Sequence, residues 1–155
     1  MPVWRTLARG TNKVSPANPS SLSRVSNLDL HYDPQRETMT FYGEVSSSSR
    51  PVNYPVILTF RKVFPTTGLK KDEIEQGYQP KPFLSKNDVQ VRCGCPQYRF
   101  TFDWPNRDVG AGTGKKFGAY RRKTNRASVN PRNLPGFCKH LLTFVEHLQA
   151  DGFIH

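Results

Sequence analysis

All three cysteines of this chain lie in two short motifs whose residue types suit a metal ion. Cys93 and Cys95 are separated by one glycine, and Cys138 is separated from His140 by one lysine. Three thiolates and one imidazole are donors that tetrahedral Zn²⁺ prefers, and closely spaced ligand pairs are typical of zinc sites. The sequence therefore predicts one zinc site, with Cys93, Cys95, Cys138 and His140 as its ligands.

The number of ligands indicates a structural metal. Four protein donors complete a tetrahedral zinc site, whereas catalytic zinc keeps one position open for water. Three alternatives are weaker. The cysteines could be small core residues beside a surface histidine. An iron–sulfur cluster usually takes four thiolates. A disulfide is disfavoured by the odd cysteine count and by strain at the Cys93 to Cys95 spacing.

Alternating patterns around the first motif predict two strands. Apolar and polar residues alternate from Val89 to Arg92, and a second run extends from Tyr98 to Trp104, so the two thiols would lie at the bend between strands. The second run places four aromatic residues on one strand face: Tyr98, Phe100, Phe102 and Trp104. We expect this face in the core, and a stacking platform for nucleic-acid bases is the alternative.

The second motif opens a predicted helix over residues 138–150. Its apolar stripe consists of Leu141, Leu142, Val145 and Leu148, and Gly152 would end it. The positive end of the helix dipole favours a thiolate at Cys138. The metal would therefore clamp the C-terminal helix to the strand bend.

The remaining sequence predicts a single α+β domain over residues 25–155. Alternation over residues 25–45 predicts a β-hairpin, and the apolar run 55–60 predicts a third strand. The domain would contain a small antiparallel sheet and one C-terminal helix clamped by the Cys3His site. Its metal-binding module would span residues 89–150 and include a basic loop at 105–136.

Residues 1–24 predict an extended N-terminal arm. The segment is rich in Ser, Pro, Asn and basic residues, and Trp4 and Leu7 are its main apolar side chains. Such a segment buries too little apolar surface to order by itself. We expect the arm to dock on a partner subunit through Trp4.

The positive charge of the chain is concentrated in the metal-binding module. The net charge is +11, and residues 92–139 hold eleven Lys and Arg against two Asp. The densest cations are predicted to contact a partner or nucleic acid: Lys115, Lys116, Arg121, Arg122, Lys123 and Arg126. A solvated, glycine-rich surface is the alternative.

The CxC and CxH motifs together resemble the SWIM-type zinc-binding motif, from Arg92 to about Leu148. The surrounding sequence resembles a group of virion structural proteins of tailed phages, those of contractile-tailed cyanobacterial phages above all. The stretches that carry this resemblance are Val89 to Phe100, Arg121 to Thr124, Asn130-Pro131 and Pro135 to Leu141. Residues 1–86 lie outside it.

The resemblance implies a particle component without catalytic activity. Such a subunit would be present in several copies in the tail baseplate or neck and would contact other virion structural proteins. It would reside in the host cytoplasm before assembly and in the virion afterwards. The alternative function is a nucleic-acid-binding SWIM-like zinc module, favoured by the clustered cations.

Signatures of other function classes are missing from the sequence. Gly110 to Lys116 lacks the spacing of a phosphate-binding loop, and no nucleophile lies at a recognisable spacing from a base. No apolar run has the length of a membrane span, and the first residues lack the apolar core of a signal peptide. The chain is therefore expected to be neither an enzyme nor a membrane protein.

Overall fold

The computed structural model describes residues 2–19, 23–117 and 128–155, which form a mixed α+β fold. Its strands are β1 (Val25–Asp33), β2 (Thr38–Ser46), β3 (Asn53–Arg61) and β4 (Val89–Cys93). Its helices are α1 (Trp4–Val14), α2 (Lys71–Glu75), α3 (Pro96–Thr101), α4 (Asp103–Asp108) and α5 (Lys139–Ala150). The predicted α+β class, with an antiparallel sheet and a C-terminal helix, is confirmed. No helix in the described ranges is both long and apolar enough to cross a membrane.

The sheet is an antiparallel meander in the order β1-β2-β3-β4. A turn joins β1 to β2, and the Asp33 carboxylate accepts bonds from the backbone N–H groups of Gln35 and Arg36 there. Strands β2 and β3 pair over their whole length, with Phe41 opposite Leu58. The predicted hairpin and third strand are thus confirmed.

The two faces of the sheet differ because successive side chains point to opposite sides. Met39, Phe41 and Val45 are fully buried on one face, whereas the alternating residues Thr38 and Thr40 are half-buried on the other. Helix α5 covers the apolar face so closely that a Cβ at Gly43 would lie 2.7 Å from the Phe144 ring. The core therefore sits between the sheet and α5.

Residues 4–14 of the N-terminal segment form helix α1 on the chain's own core, so the prediction of an extended arm over residues 1–24 is wrong for this part. The Trp4 ring stacks on the Phe137 ring with centroids 4.1 Å apart. Leu7 is fully buried, and the Thr11 hydroxyl accepts a bond of 2.8 Å from the Phe137 N–H. This segment is weakly apolar, but Trp4, Leu7 and Thr11 lie at helical spacing on its inner face. They suffice to hold the helix on the core because distant residues of the same chain cover them.

The predicted second strand, from Tyr98 to Trp104, is also wrong, because this stretch forms α3 and α4. Pro96 occupies the first turn of α3, a position where its missing N–H costs nothing, and the Cys95 sulfur accepts a bond from the Tyr98 N–H. In a helix, residues four positions apart share a face, so the four alternating aromatics form two pairs on different faces. The inner pair, Tyr98 and Phe102, is fully buried, whereas Phe100 is 50% exposed and Trp104 is 69% exposed. The core assignment is therefore correct for one pair and wrong for the other.

The C-terminal helix follows the prediction. Cys138 is the N-cap of α5, and Leu141, Val145 and Leu148 are buried along one stripe. Leu142, also predicted on this stripe, is only half-buried, and Phe144 is buried instead. Gly152 follows the helix with a φ of 76°, which a residue without a side chain adopts freely. The helix thus presents its first turn to the cysteine pair beside β4.

Candidate metal centre

The structure brings the four predicted ligands together in one buried cluster. The sulfurs of Cys93, Cys95 and Cys138 and a ring nitrogen of His140 all lie within 4.8 Å of one another. Each of these residues is at most 4% exposed, and the three cysteines are free thiols. Donors bound to one zinc ion at about 2.0–2.3 Å lie roughly 3.3–3.8 Å apart, so small side-chain rotations would complete a tetrahedral site. The cluster could therefore hold a metal ion.

A sharp turn after β4 positions the first two ligands. Cys93 is the last residue of β4 and pairs with Val56, and the Gly94 N–H then donates to the Pro55 carbonyl at 2.9 Å. A Cβ at Gly94 would lie 2.9 Å from the Pro55 ring, so the close approach favours glycine. The chain then enters α3, and both thiols reach the same centre.

A buried polar network positions the other two ligands. The Asn106 side-chain amide donates to the Gly136 carbonyl at 2.8 Å and accepts from the Gly136 N–H at 2.8 Å. The same amide donates to the Tyr98 hydroxyl, which in turn donates to the Val91 carbonyl. This network ties the segment before Cys138 to α4, α3 and β4. Sequence reasoning missed it, because neither an asparagine nor a tyrosine reveals its partner by spacing.

The three thiols differ in the direction of their pKa shifts. Burial raises the pKa of Cys93 and of Cys138 well above the usual thiol range. Hydrogen bonds from the thiols of Cys138 and Cys93 hold the pKa of Cys95 well below that range. A divalent cation among the three sulfurs would stabilise all of them as thiolates, because coordination deprotonates a thiol outright.

The environment of the His140 imidazole also favours coordination of a metal ion. Both ring nitrogens are buried, and neither has a hydrogen-bond partner among the described residues. A buried polar group left without a partner costs about 1–3 kcal/mol, so native proteins nearly always supply one. A metal ion would satisfy one nitrogen directly, and the Tyr54 ring packs beside the imidazole with centroids 5.0 Å apart.

The residues predicted to contact a partner or nucleic acid do not form one cluster among the described residues. Trp4 is buried against Phe137, so the prediction that it contacts a partner is wrong. Lys115 and Lys116 are exposed, as a contact role requires. Arg121, Arg122, Lys123 and Arg126 lie outside the described residues, and their role stays a prediction.

Part of the predicted basic loop is ordered against the sheet. Residues 105–108 belong to α4, and the Val91 N–H donates to the Ala111 carbonyl at 2.7 Å. Gly112 forms a parallel bridge with Val91, which extends the sheet beyond β4. The loop prediction is therefore wrong for residues 105–108, whereas residues 109–117 have no helix or strand and form only this one bridge.

Comparison of the chain with protein-family models, with curated proteins and with solved structures finds no match.

Proposed function

We propose that this chain is a non-enzymatic structural subunit of a tailed-phage virion, with its fold clamped by one Zn²⁺ ion. The tail baseplate or neck is its expected place, in several copies among other virion structural proteins. It would reach the virion from the host cytoplasm, where reduced thiols persist. The observation that carries the metal part is the convergence of Cys93, Cys95, Cys138 and His140 in one buried cluster.

Zinc fits this ligand set better than the alternatives do. Three sulfurs and one nitrogen match a common structural zinc set, whereas iron–sulfur clusters usually take four thiolates. The ligands come from the end of β4, the start of α3 and the start of α5, so one ion would lock three elements. Because a tetrahedral set of four protein ligands leaves no position for water, we assign the metal no catalytic step.

The virion part of the proposal rests on the resemblance of stretches within residues 89–141 to phage structural proteins. Because Trp4 is internal, the N-terminal segment contributes stability to the domain rather than a contact with a neighbour. Contacts with other subunits are therefore assigned to exposed surfaces such as the one that bears Lys115 and Lys116.

Two measurements test this proposal. Mass spectrometry of density-purified phage particles should find the chain among the structural proteins, in a fixed ratio to its neighbours. Metal analysis of the isolated subunit should find one zinc per chain. Absence of the chain from purified particles would contradict the virion role and leave the metal assignment standing, and a folded subunit without metal would do the reverse.

A second candidate function, nucleic-acid binding, is favoured by one specific observation. The exposed rings of Phe100 and Trp104 lie in the same module as a concentration of arginines and lysines. A virion subunit can also contact nucleic acid, so the two functions are compatible.

A further inference from the structure

The outer side of α3 and α4 carries two aromatic rings at helical spacing. The backbone continues from one helix to the next, since the Phe102 N–H donates to the Tyr98 carbonyl and the Asn106 N–H donates to the Phe102 carbonyl. Phe100 and Trp104 are four residues apart on this stretch and therefore share a face. Their 50% and 69% exposure contrasts with the full burial of Tyr98 and Phe102 on the opposite face. The pattern thus leaves two large rings at the surface.

Cations surround a third ring next to this face. The Arg92 guanidinium lies 4.1 Å from the centroid of the Phe117 ring, and the Arg99 guanidinium lies 5.3 Å from the same centroid. Arg99 also lies 5.4 Å from the Phe100 ring. Guanidinium groups over aromatic faces form cation–π contacts and present planar donors to phosphates. Aromatic and cationic groups are therefore interleaved on one surface.

The segment that carries Phe117 is held firmly in this position. The Arg107 side chain donates to the carbonyls of Thr113, Gly114 and Lys115, and the Arg92 Nε donates to the Lys115 carbonyl at 3.0 Å. Because these bonds fix the backbone, the exposed Lys115 and Lys116 project from an ordered support. Less entropy is lost when such a preformed surface binds a ligand.

The charge balance of the surface is positive. Residues 92–117 hold five Lys and Arg against two Asp. One of the two acids, Asp103, is buried and paired with Arg107 at 3.2 Å, so its charge is already compensated. With Arg107 paired, Arg92, Arg99, Lys115 and Lys116 remain against a single acid, Asp108. The described part of this surface therefore carries excess positive charge.

We infer that this surface, defined by Arg92, Arg99, Phe100, Trp104, Lys115, Lys116 and Phe117, binds single-stranded nucleic acid. This inference rests on the second candidate function and is independent of the virion role. Unpaired bases would stack on the Trp104 and Phe100 rings, and Lys115, Lys116 and Arg99 would contact the phosphates. A duplex keeps its bases stacked inside and would use the cations alone. An acidic protein would likewise need the cations but no exposed ring.

The test measures binding of a fluorescein-labelled oligodeoxythymidylate of about 20 nucleotides, long enough for one site. Anisotropy titrations of the zinc-loaded full chain are run at about 50 mM and about 200 mM salt. Trp104→Ala removes the more exposed ring, and Tyr78→Ala is the matched control, since Tyr78 is 51% exposed and has Lys81 near its ring at another site. The Lys115→Gln/Lys116→Gln pair removes two charges, and the Lys70→Gln/Lys71→Gln pair is its control.

Trp104→Ala should weaken single-strand binding about tenfold, whereas Tyr78→Ala should leave it within about twofold. The Lys115→Gln/Lys116→Gln pair should make the slope of log binding constant against log salt concentration shallower by about one unit. The Lys70→Gln/Lys71→Gln pair should leave this slope unchanged. Metal content and circular dichroism confirm that each variant is folded. Binding that is unaffected by Trp104→Ala, or equally tight binding of a duplex, would overturn the inference. Binding of polyglutamate in place of the oligonucleotide would overturn it in favour of an acidic protein partner.

Discussion

The β1–β2–β3 meander and the metal-binding module at residues 89–150 differ in what holds their parts together. In the meander, neighbours in sequence pair along most of each strand, with one register shift in β1, and one face is buried by simple alternation. In the module, short elements from residues far apart meet at four metal ligands and at one buried asparagine. Both regions bury apolar side chains, but only the module also depends on a few polar contacts that each join several elements.

The largest effect should come from removing a metal ligand. Cys138→Ala and His140→Ala should each abolish stoichiometric zinc and destabilise the chain by more than the about 3–5 kcal/mol of a large core truncation such as Phe41→Ala. His147→Ala is the matched control, because this histidine lies on the same helix and pairs with Asp151 at the surface. Thermal melts and zinc content provide the measurement. Equal melting temperatures for His140→Ala and His147→Ala would contradict a structural site.

Removal of the metal by a chelator should raise amide hydrogen exchange in the module more than in the meander. With a strong zinc chelator under reducing conditions, amide hydrogen exchange should rise most in residues 94–117 and 128–138, which the ligands anchor. Exchange in β2 and β3 should change least, because their ladder and apolar face do not depend on the metal. A uniform rise across all strands would show that metal and meander form one cooperative unit.

Asn106→Ala should have the next largest effect. It leaves the Gly136 backbone groups and the Tyr98 hydroxyl without this partner in a fully buried place, at a cost of about 2–3 kcal/mol. Zinc affinity should fall as well, since Gly136 lies two residues before Cys138. Asn12→Ala, at an exposed position of α1, serves as the control in denaturant unfolding and zinc competition. A loss of stability with unchanged zinc affinity would show that the network stabilises the fold without positioning the metal ligands.

Thr11→Val should have the smallest effect, about 1 kcal/mol. It keeps the size of the side chain and removes the hydroxyl that accepts from the Phe137 N–H and donates to the Leu7 carbonyl. Thr6→Val, on the exposed side of the same helix, should change stability by less than about 0.5 kcal/mol. Identical denaturation midpoints for the two variants would show that α1 is held by Trp4 and Leu7 alone.

The sequence predicted those parts of the fold that depend on neighbours in the chain. The alternation in β2 and β3 and the apolar stripe of α5 each determine an element locally, and the two ligand motifs are short enough to be recognised by spacing. Where the partner is distant, the prediction was wrong: α1 is held by Phe137, 126 residues away. The aromatic residues at 98–104 fit both the two-residue period of a strand and the four-residue spacing of a helix face. The Cys95 cap and Pro96 decide between them in favour of a helix.

The central claim is that a metal ion held by Cys93, Cys95, Cys138 and His140 stabilises the module. Native mass spectrometry of the reduced, purified chain, before and after chelation, tests it most directly when each sample is also melted. We expect the mass of one zinc ion per chain, its loss on chelation, and a large fall in melting temperature that added zinc reverses. A folded chain without metal whose melting temperature does not change when zinc is added would contradict the claim.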